Sequence, residues 1–172
     1  MHSLLDSLRR RGWTVQVAGP PRELLPAAVA ARYAAIPTEA ASFLAVLEAC
    51  CSGDETAWFF TAKDYARTEE GGFRWNECEL MAMSAAAGNA TWQDEIRAFW
   101  NDHFPFMLAV HSDYDYLAVR IQDGAVVHGY APEWESPTVV APCFSEFLRK
   151  FEVEATAPTA RWPYAVFLGA PA

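Results

Sequence analysis

Residues 113–130 read DYDYLAVRIQDGAVVHGY, and this stretch decides the fold class. From Tyr114 to Ile121 the chain alternates: Tyr114, Tyr116, Ala118 and Arg120 share one side, and Asp115, Leu117, Val119 and Ile121 the other. That period of two belongs to a strand. Asp123-Gly124 follows, and Ala125 to Tyr130 is a second apolar run. Asp-Gly between two such runs is a strong hairpin signal, because glycine accepts the positive φ that a tight reversal needs. Phe106 to His111 on one side and Thr138 to Ala141 on the other read as further strands. The second half of the chain is therefore an antiparallel sheet.

Helical spacing dominates before it. His2 to Arg11 puts Leu4, Leu5 and Leu8 on one face, and Gly12 stops the run. Trp13 to Val17 alternates as a short strand, and Gly19-Pro20-Pro21 is a turn. A helix from Pro26 to Ala35 ends at Pro37. Thr38 caps the next helix, whose apolar stripe is Phe43, Leu44 and Leu47 and which closes at Ser52-Gly53-Asp54. Ala57 to Thr61 is a buried strand and Asp64 to Arg74 an exposed polar loop. Glu79 to Ala87 fits helix or strand, the alanines favouring helix. Thr91 caps a helix over Trp92 to His103, with Ile96, Phe99 and Trp100 inward and Trp92 roughly on the same face as Trp100. Pro105 breaks it. Ser145 to Phe151 is a helix burying Phe144, Phe147, Leu148 and Phe151, and Tyr164 to Leu168 adds an edge strand. Helices early and antiparallel strands late make the class α+β, an antiparallel sheet flanked by helices.

Composition agrees with one globular domain over residues 1–172. Apolar residues are 52%, but 31 of them are alanines, so the packing force lies in the 24 aromatics. No apolar run approaches the roughly 20 residues of a bilayer span, and Arg9-Arg10-Arg11 follows the first apolar residues where a signal peptide would have its bases in front. The expected compartment is the cytoplasm. The four cysteines, Cys50, Cys51, Cys78 and Cys143, form no C-x-x-C pair and read as free thiols, with no metal and no cofactor expected.

The net charge of −9 is unevenly spread. Residues 75–148 hold eleven acids against Arg97 and Arg120, and the rest of the chain balances to zero. Such a field disfavours nucleic acid and favours a basic partner. Asp113 and Asp115, with Glu133 and Glu135 flanking Trp134 in a proline-bounded loop, are the candidate contact residues. Trp134 reads either as an exposed aromatic anchor ringed by acids or as loop packing.

No nucleophile elbow, zinc-helix motif or phosphate loop occurs in the sequence. The best catalytic constellation is His111, Asp113, Asp115 and His128, two imidazoles and two carboxylates that a hairpin can bring together for a metal or for acid–base chemistry. The simpler reading makes the aspartates a polar turn and His128 a half-exposed strand residue. Cys143 with a histidine is a weaker pairing, because Cys143 precedes a helix of core residues.

One ordered series resembles a known family. Leu25-Pro26 opens a helix containing Tyr33, followed by Ile36-Pro37, Phe43-Leu44, and Trp58-Phe59-Phe60 leading to Asp64-Tyr65. Then come Phe104-Pro105-Phe106, the run Asp113 to Val119, Asp123-Gly124, Val126-Val127, and Phe144-Ser145-Glu146-Phe147-Leu148. In this order the chain resembles the SUKH superfamily, the Smi/Knr-like proteins, over residues 24–151. Residues 1–23 are then an N-terminal helix-and-strand extension and 152–172 a C-terminal one. Cys143 stands where the family usually has a small polar residue. The resemblance implies a SUKH fold, no catalytic activity, and a role in binding proteins. Many bacterial relatives are immunity proteins that neutralise toxins, often nucleases, and others are regulatory modules with a cytoplasmic partner. On that reading the excess acid forms a sheet face suited to a basic toxin domain, and the protein is a monomer or a weak homodimer.

Overall fold

The computed structural model describes residues 2–19, 23–33, 35–67, 73–111 and 113–169. Seven strands form one sheet in chain order, each antiparallel to the next. They are β1 (Thr14–Val17), β2 (Leu47–Cys51), β3 (Ala57–Phe59), β4 (His103–Ala109), β5 (Asp115–Arg120), β6 (Val126–Tyr130) and β7 (Thr138–Ala141). The β5–β6 hairpin pairs Val119 with Val126 and Asp115 with Tyr130. Gly124 sits at φ 75° in its turn, and Asp123 holds both the Arg120 guanidinium and the Ala125 N–H.

Helices cover both faces. On one lie α1 (His2–Arg10), α3 (Thr38–Ala45), α7 (Phe144–Thr156) and α8 (Tyr164–Leu168). Phe59 and Phe106 project there into Phe43, Phe144, Phe147 and Phe151. On the other lie α2 (Ala27–Arg32), α4 (Ala62–Ala66), α5 (Glu77–Ala85) and α6 (Ala90–Asp102). Phe104 is held there between Tyr33 and Tyr65, with ring centroids 5.2 Å away in each case. The buried hydroxyls find carbonyls: Tyr33 donates to Trp100 O and Tyr65 to Pro105 O. A sheet buried on both sides explains why β4 is buried throughout and does not alternate.

Several segments differ from the sequence reading. The helix closing at residue 54 stops at Ala45, and Leu47 opens β2. The sequence Leu-Glu-Ala-Cys-Cys has little β-propensity, so its pairing with β1 and β3 places it. Thr38 is the first residue of α3 and makes no cap, since Pro37 occupies that position. Within the expected polar loop, Thr61 N–H donates to Asp64, folding α4 and burying Tyr65. Asn89 rather than Thr91 caps α6, accepting from Trp92 N–H. Trp92 is 42% exposed while Trp100 is buried; eight residues at about 100° each leave them about 80° apart. Pro105 lies inside β4, beside the register shift that tolerates its missing N–H. Tyr164 to Leu168 is a helix, not an edge strand, because Tyr164, Phe167 and Leu168 share a buried helical face.

The first helix is part of the core. Leu4, Leu5 and Leu8 are at most 2% exposed, and Trp13 meets the Phe59 ring. Arg11 donates to the carbonyls of Ala155, Ala157, Leu168 and Gly169, joining the two ends of the chain. No helix among the described residues is long and apolar enough to cross a membrane.

Candidate functional site

The ladder puts the start of β5 beside the end of β6, so the loops carrying residues 113–115 and 131–137 meet at one end of the sheet. Two hydrogen bonds tie them: Ala131 N–H donates to Tyr114 O at 2.9 Å, and Tyr116 Oη donates to Trp134 O at 2.6 Å. Asp113 and Glu133 are exposed on this end and form an acidic rim.

The other three candidate contact residues have structural duties. Trp134 is only 6% exposed and lies along Tyr114 and Tyr116 at 6.4 Å each, so it is the floor of the rim and not a projecting anchor. Burying the indole against two phenol rings offers more than leaving it in water between carboxylates. Glu135 is half-buried, and burial raises its carboxyl above the ordinary range. The Trp100 indole favours the carboxylate, although Trp100 Nε1 and Glu135 Oε1 have no hydrogen-bond partner among the described residues. Asp115 accepts at 2.7 Å from His128 Nε2, which lies diagonally across the β5–β6 ladder.

His128 is 1% exposed, not half-exposed. Trp162 and Phe167 close edge-on over its ring at 5.3 and 5.7 Å. Its Nδ1 has no partner among the described residues. The hairpin thus brings Asp115 and His128 together, but His111 goes elsewhere. His111 Nε2 meets Thr56 Oγ1 at 3.2 Å, and Thr56 donates to Asp54 in the β2–β3 turn. Among the described residues no group of three or more His, Cys, Asp and Glu side chains could hold a metal ion. Cys143 stands at the N-cap of α7, and the groups acting on its thiol are Ser145, Glu146 and Glu39, none an imidazole.

The expected acidic sheet face does not exist, because helices cover both faces and β4, β5 and β6 are buried almost throughout. Apart from Asp115 at the start of β5, the acids of residues 75–148 lie in helices and loops, and many are matched. Glu77, Glu79, Asp94, Asp123 and Glu146 pair with Arg74, Arg32, Arg97, Arg120 and Arg149. Arg32, Arg74 and Arg149 come from outside residues 75–148, so folding redistributes the charge imbalance. Glu79 is the most buried of these, and Arg32 grips it with two nitrogens at 2.7 and 2.8 Å.

Sequence reasoning missed the parts that shape the rim. Tyr116 is wholly buried, its ring 4.9 Å from Trp100, and it crosses directly over Gly129 on β6. A glycine inside a strand was the available signal, since it marks close approach by a neighbour. Compared with protein-family models, with curated proteins and with solved structures, the chain finds no match in any of the three.

Proposed function

We propose that this protein is a non-catalytic binding module of SUKH type, an immunity protein that neutralises a basic toxin domain by direct association. One observation supports the reading above others. Two loops, pinned to each other by Tyr116 and Ala131, hold Asp113 and Glu133 exposed on a single acidic rim. Carboxylates carried on loops tied to each other attract a cationic surface and steer its association. Nuclease toxins carry such a surface because their clefts must draw in phosphate. The resemblance over residues 24–151 supports the same class.

The test is charge reversal on the rim, with Asp113→Lys and Glu133→Lys combined. Asp115 is unsuitable, since reversing it strands the buried His128. Tagged parent and variant are used to capture partners from host lysate at graded salt, and captured domains are then followed by stopped-flow association. A basic toxin domain whose association slows about tenfold or more in the variant, and weakens as salt shortens the Debye length below about 8 Å, is the expected result. Capture unaffected by both salt and reversal refutes the rim as the contact surface.

A further inference from the structure

A second surface lies along the last strand of the sheet and carries the opposite charge. Strand β7 is the last of the sheet, and its outer edge borders α7 and the segment before α8. Between them is an open groove of about 500 Å³. Val139, Val153 and Trp162 stand in it at 55%, 49% and 62% exposure, unusual for large apolar groups. Arg149, Lys150 and Arg161 also line it, against the single carboxylate of Glu154. In a chain of net charge −9 this groove is locally cationic.

The geometry fixes how those charges are presented. Glu154 is 3% exposed and wholly engaged, accepting from the Arg161 backbone and guanidinium at 2.8 Å each. Arg161 itself remains 80% exposed, and Arg149, paired with Glu146 one turn back, 64%. Lys150 donates to Val140 O at 3.0 Å, so its charge lies across the groove beside β7. Burying Val139, Val153 and Trp162 needs an apolar occupant, and the cationic border needs a negative one. Trp162 is backed by the buried His128 ring, giving an occupant a firm aromatic wall.

We propose that this groove docks an extended acidic peptide segment of a partner protein, one that inserts an apolar side chain between Val139, Val153 and Trp162 and sets its carboxylates on Arg149 and Arg161. Such a segment is held by its alternate side chains and its carboxylates, since Val140 O in the groove already accepts from Lys150 and Tyr164. The inference does not depend on the toxin-binding reading, which concerns the rim.

The probe is a library of random short peptides displayed on phage and selected on the immobilised protein. Enriched peptides are synthesised with a fluorescent label and titrated by anisotropy. Two variants stay clear of the core: Arg149→Glu, whose ion pair among the described residues is the exposed one with Glu146, and Val153→Ser. The expected result is enrichment of Asp and Glu around an apolar residue, with affinity reduced about tenfold by each variant. Circular dichroism shows whether both remain folded. Reversal of Asp113 and Glu133 leaves peptide affinity unchanged, which separates this surface from the rim. The proposal is overturned by no enrichment, by enriched peptides without acids, or by binding indifferent to both substitutions. A mass that doubles with concentration and reverts in Val153→Ser assigns the groove to a second copy of the chain and also overturns it.

Discussion

Gly129→Ala tests the arrangement that supports the rim. Gly129 lies in the middle of β6 opposite Tyr116, and its φ is not positive, so alanine suits the backbone. On an open strand the change would stabilise by about 0.5–1 kcal/mol through reduced unfolded-state freedom. Here an added Cβ would stand 2.5 Å from Tyr116 Cε1 and closer still to Cζ and Oη, where ordinary contact begins at 3.4 Å. Two ring carbons and the hydroxyl oxygen must therefore retreat by about 1 Å, and the residue is 0% exposed with Trp100 and Trp134 around it. Overpacking of this kind costs about 1–3 kcal/mol. Pulling the hydroxyl from Trp134 O adds about 1–2 kcal/mol for a buried polar pair undone. The expected loss is about 3 kcal/mol, lowering Tm by roughly 10 °C for a chain of this size. Urea unfolding followed by circular dichroism measures it, with the near-ultraviolet band reporting the Tyr116 and Trp134 environment. Adding Tyr116→Leu to Gly129→Ala removes the colliding atoms, so the double variant loses less than the two single losses together. A single variant within about 0.5 kcal/mol of the parent, with an unchanged near-ultraviolet spectrum, refutes the wedged-ring account.

Two further outcomes follow from the ionisable groups. Ser145 Oγ and the Glu146 N–H at the start of α7 hold the Cys143 thiol below its ordinary range, whereas burial pushes Cys50 up to about 12 and Cys78 up as well. Timed iodoacetamide labelling with peptide mass analysis should modify Cys143 first and the two buried thiols last; equal rates would contradict the assignment. His103 is buried against Phe99 at 3.9 Å with Nδ1 2.8 Å from Phe99 O, and burial lowers its pKa below the usual 6.5. Its neutral form is the folded one, so its stabilising contribution is present above pH 6.5 and is lost as pH falls through the depressed value. Ring-proton titration by NMR should give a midpoint under 6.5, and a midpoint above it would reverse the sign of that linkage.

The hairpin over residues 113–130 was legible because its signals are local: alternation, Asp123-Gly124, and β-prone residues on both arms. The same holds for α1, α7 and the third-residue spacing of their buried faces. Leu47–Cys51 was not legible as a strand, since nothing in Leu-Glu-Ala-Cys-Cys prefers that state until β1 and β3 flank it. Tyr164–Leu168 misled for the opposite reason: Tyr, Val and Phe favour strands locally, and only the pocket above His128 and α7 selects the helical face. At the candidate site, the grouping of Asp113, Asp115, Glu133, Trp134 and Glu135 at one end followed from the hairpin. Their division into exposed and buried did not.

The sequence by itself determined the α+β class, the β5–β6 reversal, and the identity of most core aromatics, because each depends on neighbours within a turn or two of chain. Tertiary structure alone decided which charges are exposed. Arg32 reaches Glu79 and His128 reaches Asp115 across separate elements, and helices settle over both sheet faces. Such pairings join residues far apart in the chain or across strands, and their energies depend on burial, which no local pattern contains. After folding, part of the acidic excess written in residues 75–148 is paired by Arg32, Arg74 and Arg149 from outside that span, Asp113 and Glu133 stay exposed on a rim at one end of the sheet, and bases from residues 149–161 line a groove along its last strand.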